Sequence, residues 1–174
     1  MKTDRETDEK YMRMALRMAE EAAEREEVPV GAVAVTADGR VVGRGHNQVE
    51  MLTDGTAHAE MIVLTQAASA VGDWRLNDVT LYVTKEPCPM CAGAMVNCRL
   101  GRLVYGCPDP RFGAAGGALN LLNIPGALHA VPVSAGVCSA ESKALLQAFF
   151  RRRRQINTNE LKRIDEWPEN LSTN

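Results

Sequence analysis

A chain of 174 residues is long enough for one compact core and too short for two ordinary domains. With 20 Lys plus Arg against 22 Asp plus Glu, its formal charge of -2 excludes a bulk attraction to polyanions. No apolar run approaches the roughly 20 residues a membrane span needs, which excludes a transmembrane helix.

The opening MKTDRETDEK carries neither an apolar export core nor an Arg-rich, acid-poor address, so the cytoplasm is the expected compartment. From Thr7 to Glu27, apolar residues at Tyr11, Met12, Ala15, Leu16, Met18, Ala19, Ala22 and Ala23 predict an amphipathic helix covering one face of a sheet. Pro29 and Gly31 break that period, and GAVAVTADGRVVGRGHN reads as two strands joined at Ala37, Asp38 and Gly39, where Asp-Gly suits a tight hairpin. A second helical period runs from near His58 through Ala68 and stops before Gly72. Val79–Thr84 has the composition of a buried strand, Lys85–Pro89 that of a loop, CAGAMVNC that of a helix and LVYG that of a further strand. Strand, helix, strand at this spacing predicts crossover units with parallel strands, two of them sharing the central region. PDPRFGAAGGALNLLNIPGALH is expected to form loops and short helical turns. A last strand at Ala130–Val133 then precedes a helix over about Ser139–Arg154, on which Leu145, Leu146, Phe149 and Phe150 pack while Arg151 to Arg154 emerge. This gives one domain over residues 1–155 and a polar tail over 156–174, helical at its start or frayed.

Two fragments carry the chemistry: TAHAE at 56–60 and EPCPMC at 86–91. His58, Cys88 and Cys91 offer one imidazole and two thiolates, a set suited to Zn2+ that leaves one tetrahedral position for water. Cys98, Cys107, Cys138, His46 and His129 are the other residues able to ligate, and none has motif spacing to this trio. Five cysteines without a secretory signal fit metal binding or burial better than a disulfide framework. A water held in the fourth position has its pKa lowered from about 15.7 to near 7. Glu60, two residues after His58, is placed to shuttle a proton beside it. H-x-E followed some 30 residues later by P-C-x-x-C is the signature of zinc nucleobase deaminases.

On those fragments, and on EEVPVGAVAV (26–35), GRGHN (43–47), GTAHAE (55–60), DWRL (73–76), LYVTKEPCPMCAGAM (81–95), DPRFGAAGG (109–117) and FFRRRR (149–154), the chain resembles the bacterial tRNA-specific adenosine deaminases over about residues 7–155. That family converts the wobble adenosine of a tRNA anticodon loop to inosine. The resemblance implies a cytidine deaminase-like α/β fold, a three-layer α-β-α arrangement with a five-stranded mixed sheet flanked by helices. It also implies one zinc per subunit, an anticodon stem-loop as partner and a homodimer. By the same resemblance Glu60 is the catalytic acid and base, Asn47 bonds the purine, and Val28 and Ala59 line its pocket. Asp109 and Arg111 contact the flanking nucleotides, and Phe150, Arg151 and Arg153 meet the loop. Phe150 at helical spacing fits a core position equally well. Lys85 stands where the family often has an apolar residue, and Gly55 replaces a usual proline. The alternative on the same fold is a deaminase of a free base or nucleoside such as cytosine, guanine or cytidine. Against it, residues 99–163 carry ten basic and three acidic groups, which a small substrate does not require. A zinc-stabilised RNA-binding module without catalysis is the other rival, and Glu60 beside a three-ligand metal set argues against it.

Overall fold

A computed structural model of the protein describes residues 5–165, with side chains up to Ile156. The first helix, α1 (Arg5–Glu24), carries Tyr11, Met12, Ala15, Leu16, Ala19 and Ala22 on its buried stripe. It begins and ends two to three residues before the expected bounds. The hairpin follows as β1 (Gly31–Thr36) and β2 (Val41–His46), with Gly39 at φ +86° in the turn. A single-turn helix, α2 (Val49–Leu52), leads into α3 (Ala59–Val71), which Gly72 closes in the left-handed conformation. Next come β3 (Val79–Lys85), α4 (Pro89–Asn97), β4 (Arg102–Cys107), β5 (Val133–Ala135) and α5 (Ser139–Asp165).

The strands form one mixed sheet in the order β2-β1-β3-β4-β5. β1 is antiparallel to both neighbours, whereas β3, β4 and β5 run parallel. Both expected crossovers are present: α3 carries the chain from β2 past β1 to β3, and α4 carries it from β3 to β4. Alternation along the strands divides the core into two layers. Val33, Val35, Tyr82 and Val104 face α1, while Ala32, Ala34, Leu81, Val83, Leu103 and Tyr105 face the layer built by α3 and α4. The α1 layer is pinned by a buried polar group. Arg102 of β4 donates two bonds to the Asp8 carboxylate at 2.8 and 2.7 Å, and the Tyr82 hydroxyl donates to the same carboxylate at 3.1 Å. Arg102 also reaches Ser134 of β5 at 2.7 Å, so one guanidinium joins a helix and three strands.

Three expectations need correction. The last strand is short and lies at Val133–Ala135 instead of Ala130–Val133, because Pro132 has no N–H for a ladder and the Val131 N–H turns away to Leu122 O at 2.9 Å. Residues 108–132 contain turns and an isolated bridge between Ala115 and Asn120, with no helical turn. The final helix continues to Asp165, about ten residues beyond its expected end, since nothing between Gln155 and Asp165 is a glycine or proline. The remainder of the tail expected to fray, residues 166–174, lies outside the described residues.

Candidate active site

The two fragments meet because each feeds a helix start. His58 is the N-cap of α3 and Cys88 the N-cap of α4, both with extended backbone, and Pro89 begins α4 where its missing N–H costs nothing. The positive ends of two helices therefore converge on one point and favour thiolate there. Cys91, one turn into α4, completes the group. His58 Nδ1 lies 3.6 Å from Cys88 Sγ and 3.5 Å from Cys91 Sγ, and the three ligand atoms all fall within 4.8 Å of one another. One nitrogen and two sulfurs at this separation fit a zinc ion. None of the other five residues able to ligate joins them. His46 Nδ1 is 2.7 Å from Asn47 O, His129 Nε2 is 2.8 Å from Leu100 O, and the Cys98 thiol donates to Met95 O at 3.5 Å. Cys107 is buried at the end of β4, and Cys138 sits just before α5.

Without an ion the site shares its protons unequally. A hydrogen bond from Cys91 holds the Cys88 thiol down at about 4 against the effect of burial, with His58 bonding the same sulfur. The bond to Cys88, burial and the nearby Glu60 charge push the Cys91 thiol up. Glu60, in the first turn of α3, is only 4% exposed, and burial raises its carboxyl despite the opposing charge of His58. A carboxyl raised in this way and set beside the ligand group is suited to take and return a proton.

His58, Glu60 and Cys88 line a cleft of about 1600 Å³, with Cys91 fully buried behind them. A pocket for a small molecule occupies roughly 300–1,000 Å³. Val28, Asn47, Asp109 and Arg111 line the cleft, as do Phe150, Arg151 and Arg153 on α5. Ala59 does not. Its side chain is fully buried in the core layer under α3, directly after His58. The two phenylalanines separate: Phe149 is buried at 6% exposure, whereas Phe150 stands 44% exposed at the rim, so its expected packing role falls to its neighbour. Leu145 and Leu146 are half-buried. Arg152, between the two expected contact arginines, does not line the cleft and pairs with Glu26 at 2.6 Å. Arg153 lies 4.0 Å from that same carboxylate.

Two buried glutamates were not singled out from the sequence. Glu27 accepts Asn47 Nδ2 at 3.3 Å and the Met51 N–H at 2.7 Å, which fixes the amide in the cleft wall. Glu86, 1% exposed, accepts the N–H groups of Asp109, Ala115 and Gly117 at 2.8, 3.0 and 2.7 Å. A Cβ on Gly113 or Gly117 would collide with this carboxylate, which accounts for two of the three glycines of DPRFGAAGG, while Gly116 holds a φ of +124°. Both acids sit inside quoted motifs, EEVPVG and EPC, but nothing local in the sequence pairs either with its distant partners.

Residues 6–154 match the MafB19-like deaminase family. The chain is 44% identical over 159 residues to a Bacillus subtilis protein called tRNA-specific adenosine deaminase, covering 91% of this chain and 98% of that one. It is 45% identical over 144 residues to an Agrobacterium fabrum protein of the same name, covering 83% and 94%. Among solved structures, one from a study of A-to-I editing by tRNA:A34 deaminases at the wobble position superposes with a TM-score of 0.75 at 44% identity, covering 79% of this chain and 99% of that chain. A guanine deaminase from Nitrosomonas europaea superposes with a TM-score of 0.70 at 21% identity, covering 81% and 83%, and at that identity shares the fold alone. With near-complete coverage of relatives above 40% identity, and with the histidine and the cysteine pair meeting beside the buried glutamate, the chain belongs to the MafB19-like deaminases and, among them, to the tRNA-specific adenosine deaminases.

Proposed function

We propose that this protein hydrolytically deaminates adenosine to inosine at the wobble position of a tRNA anticodon loop. The observation carrying this reading is that a single cleft serves both chemistries, lined by the buried Glu60 and by His58 and Cys88 of the His-Cys-Cys group, with the exposed ring of Phe150 and arginines on its rim. Anticodon bases are already unpaired, so drawing one into the cleft costs less than opening a duplex.

His58 Nδ1 and the sulfurs of Cys88 and Cys91 would hold one zinc ion, which when bound would supply the positive charge that makes a water nucleophilic at neutral pH. Asn47, anchored by Glu27, hydrogen-bonds the purine edge, and Val28 packs against the ring. Glu60 accepts one proton of the water as it adds to C6 and delivers it to the ring nitrogen; it then takes the proton of the new C6 hydroxyl and gives it to the amine, which leaves as ammonia as the C6 carbonyl forms. Water is consumed, and inosine and ammonia are the products. Phe150 offers a face for a splayed base, while Arg151, Arg153 and Arg111 supply cationic donors to the backbone. Asp109 lines the cleft, where it is placed to contact a flanking nucleotide.

A homodimer acting in the cytoplasm, the form implied by the sequence resemblance, completes the reading, and sedimentation tests the dimer. Deamination of a free base is disfavoured by a cleft larger than a single base fills and by its cationic rim. The deciding experiment incubates purified protein with an unmodified tRNA transcript bearing a wobble adenosine and measures inosine by nucleoside mass analysis. Adenosine, cytidine and guanine are run in parallel. Inosine in the tRNA alone is the expected result, and turnover of a free base with none of the tRNA overturns the assignment.

A further inference from the structure

Lys85 ends β3 and lies across the parallel ladder from Cys107, the last residue of β4. α5 crosses β4 immediately beside them. A Cβ on Gly106 would collide with both Ser142 Oγ and Thr84 O, so Thr84, Gly106 and Ser142 are in mutual contact. Their successors in the chain, Lys85, Cys107 and Lys143, all line the cleft. The charges of both lysines act on the Cys107 thiol, which burial otherwise raises, so the two ammonium fields reach the same point.

Between them the lysines make one ion pair among the described residues, while the charge of Lys85 also acts on the buried Glu60. Lys85 Nζ donates to Asp109 Oδ2 at 2.5 Å, and Lys143 makes no ion pair. The other oxygen of Asp109 is occupied by the N–H groups of Arg111 and Phe112 at 3.0 and 3.1 Å. An ammonium has three N–H donors, so Asp109 uses one of the three on Lys85 and none on Lys143. The triplet of Lys85, Lys143 and Asp109 therefore carries a net positive charge and holds unused donors inside the cleft. This is a place for an anion, and phosphate is the anion that an RNA strand presents at every nucleotide.

We propose that Lys85 and Lys143 form a phosphate-binding subsite on the inner wall of the cleft, separate from the arginines at its rim, which holds the backbone of the RNA strand next to the reacting adenosine. The proposal rests on the tRNA reading above. Asp109 orients Lys85 and keeps the pair from repelling itself.

The test measures inosine formation on an anticodon stem-loop RNA as a function of salt, with wild type, Lys85→Met, Lys143→Met, the double variant, Lys85→Arg, and Lys85→Met combined with Asp109→Asn. In the double variant KM is expected to rise about fivefold, with kcat within about twofold of wild type. The slope of log affinity against log salt is expected to fall by about 0.7, the value for one single-strand phosphate contact. Lys85→Arg is expected to retain both. An unchanged salt slope in the double variant, with wild type active, overturns the subsite alone. Recovery of wild-type KM and slope when Asp109→Asn is added to Lys85→Met shows that Lys85 merely neutralises Asp109, which also overturns it. A wild-type protein that makes no inosine from RNA removes the tRNA reading and this proposal with it.

Discussion

At the scale of single residues, burial decides what each acid in the cleft does. Glu60 is enclosed beside the ligand group and has a proton to move, whereas Glu27 and Glu86 are enclosed among backbone N–H donors and act as anchors. Glu60→Gln is therefore expected to fold normally and to retain zinc, seen by metal analysis of the purified variant. Its kcat should fall by about 10²–10⁴-fold, the usual contribution of a positioned acid-base group. Glu86→Ala strips three N–H groups of their acceptor. It should lower stability by about 2 kcal/mol in chemical denaturation, since a buried donor left unmade costs about 1–3 kcal/mol and partial access of water recovers some of it.

At the scale of elements, α5 gives the clearest separation of packing from recognition, because adjacent residues on it serve opposite faces. Phe149→Ala should cost about 3 kcal/mol of stability, as for a large buried aromatic side chain. Phe150→Ala should leave the thermal midpoint unchanged and raise KM for an anticodon stem-loop by about 5- to 150-fold, the range for one base-aromatic stack. The neighbouring helix, α1, is held by charge as well as by its apolar stripe. Asp8→Asn leaves the Arg102 guanidinium without its counter-charge between α1 and β5. Breaking such a buried pair should remove about 3 kcal/mol, which calorimetry would register as a midpoint lowered by roughly 6–12 °C for a domain of this size.

At the scale of the whole molecule, much was legible before any coordinates. Periodicity located α1 and α3, composition located α4, the Asp-Gly turn located the hairpin, and H-x-E with P-C-x-x-C identified the ligand trio that the fold assembles. What stayed hidden depended on long-range contact. The short β5 and the turn-rich stretch before it are shaped by Pro132 and by bonds to distant strands, for which no local period exists. The register of Phe149 against Phe150 was ambiguous because both fit a helical stripe, and only docking on β4 decides which one turns inward. Glu86 was invisible as an anchor because its three partners lie 23 to 31 residues away. For the metal, dialysis against a strong chelator should abolish inosine formation, and added Zn2+ should restore it. The metal-free protein should also melt at a lower temperature, because an ion bound only by the native state stabilises it by mass action.

The Glu86 carboxylate constrains how this protein can acquire new selectivity. Its three tethers fix the backbone at Asp109, Ala115 and Gly117, while the side chains of Pro110, Arg111 and Phe112 project outward between them. Substitutions at those three positions can vary which neighbouring nucleotide is preferred while the anchor stays intact. Insertions or a bulkier residue at Gly113 or Gly117 would instead pry at a glutamate only two positions from Cys88, and so would disturb the ligand geometry along with the specificity.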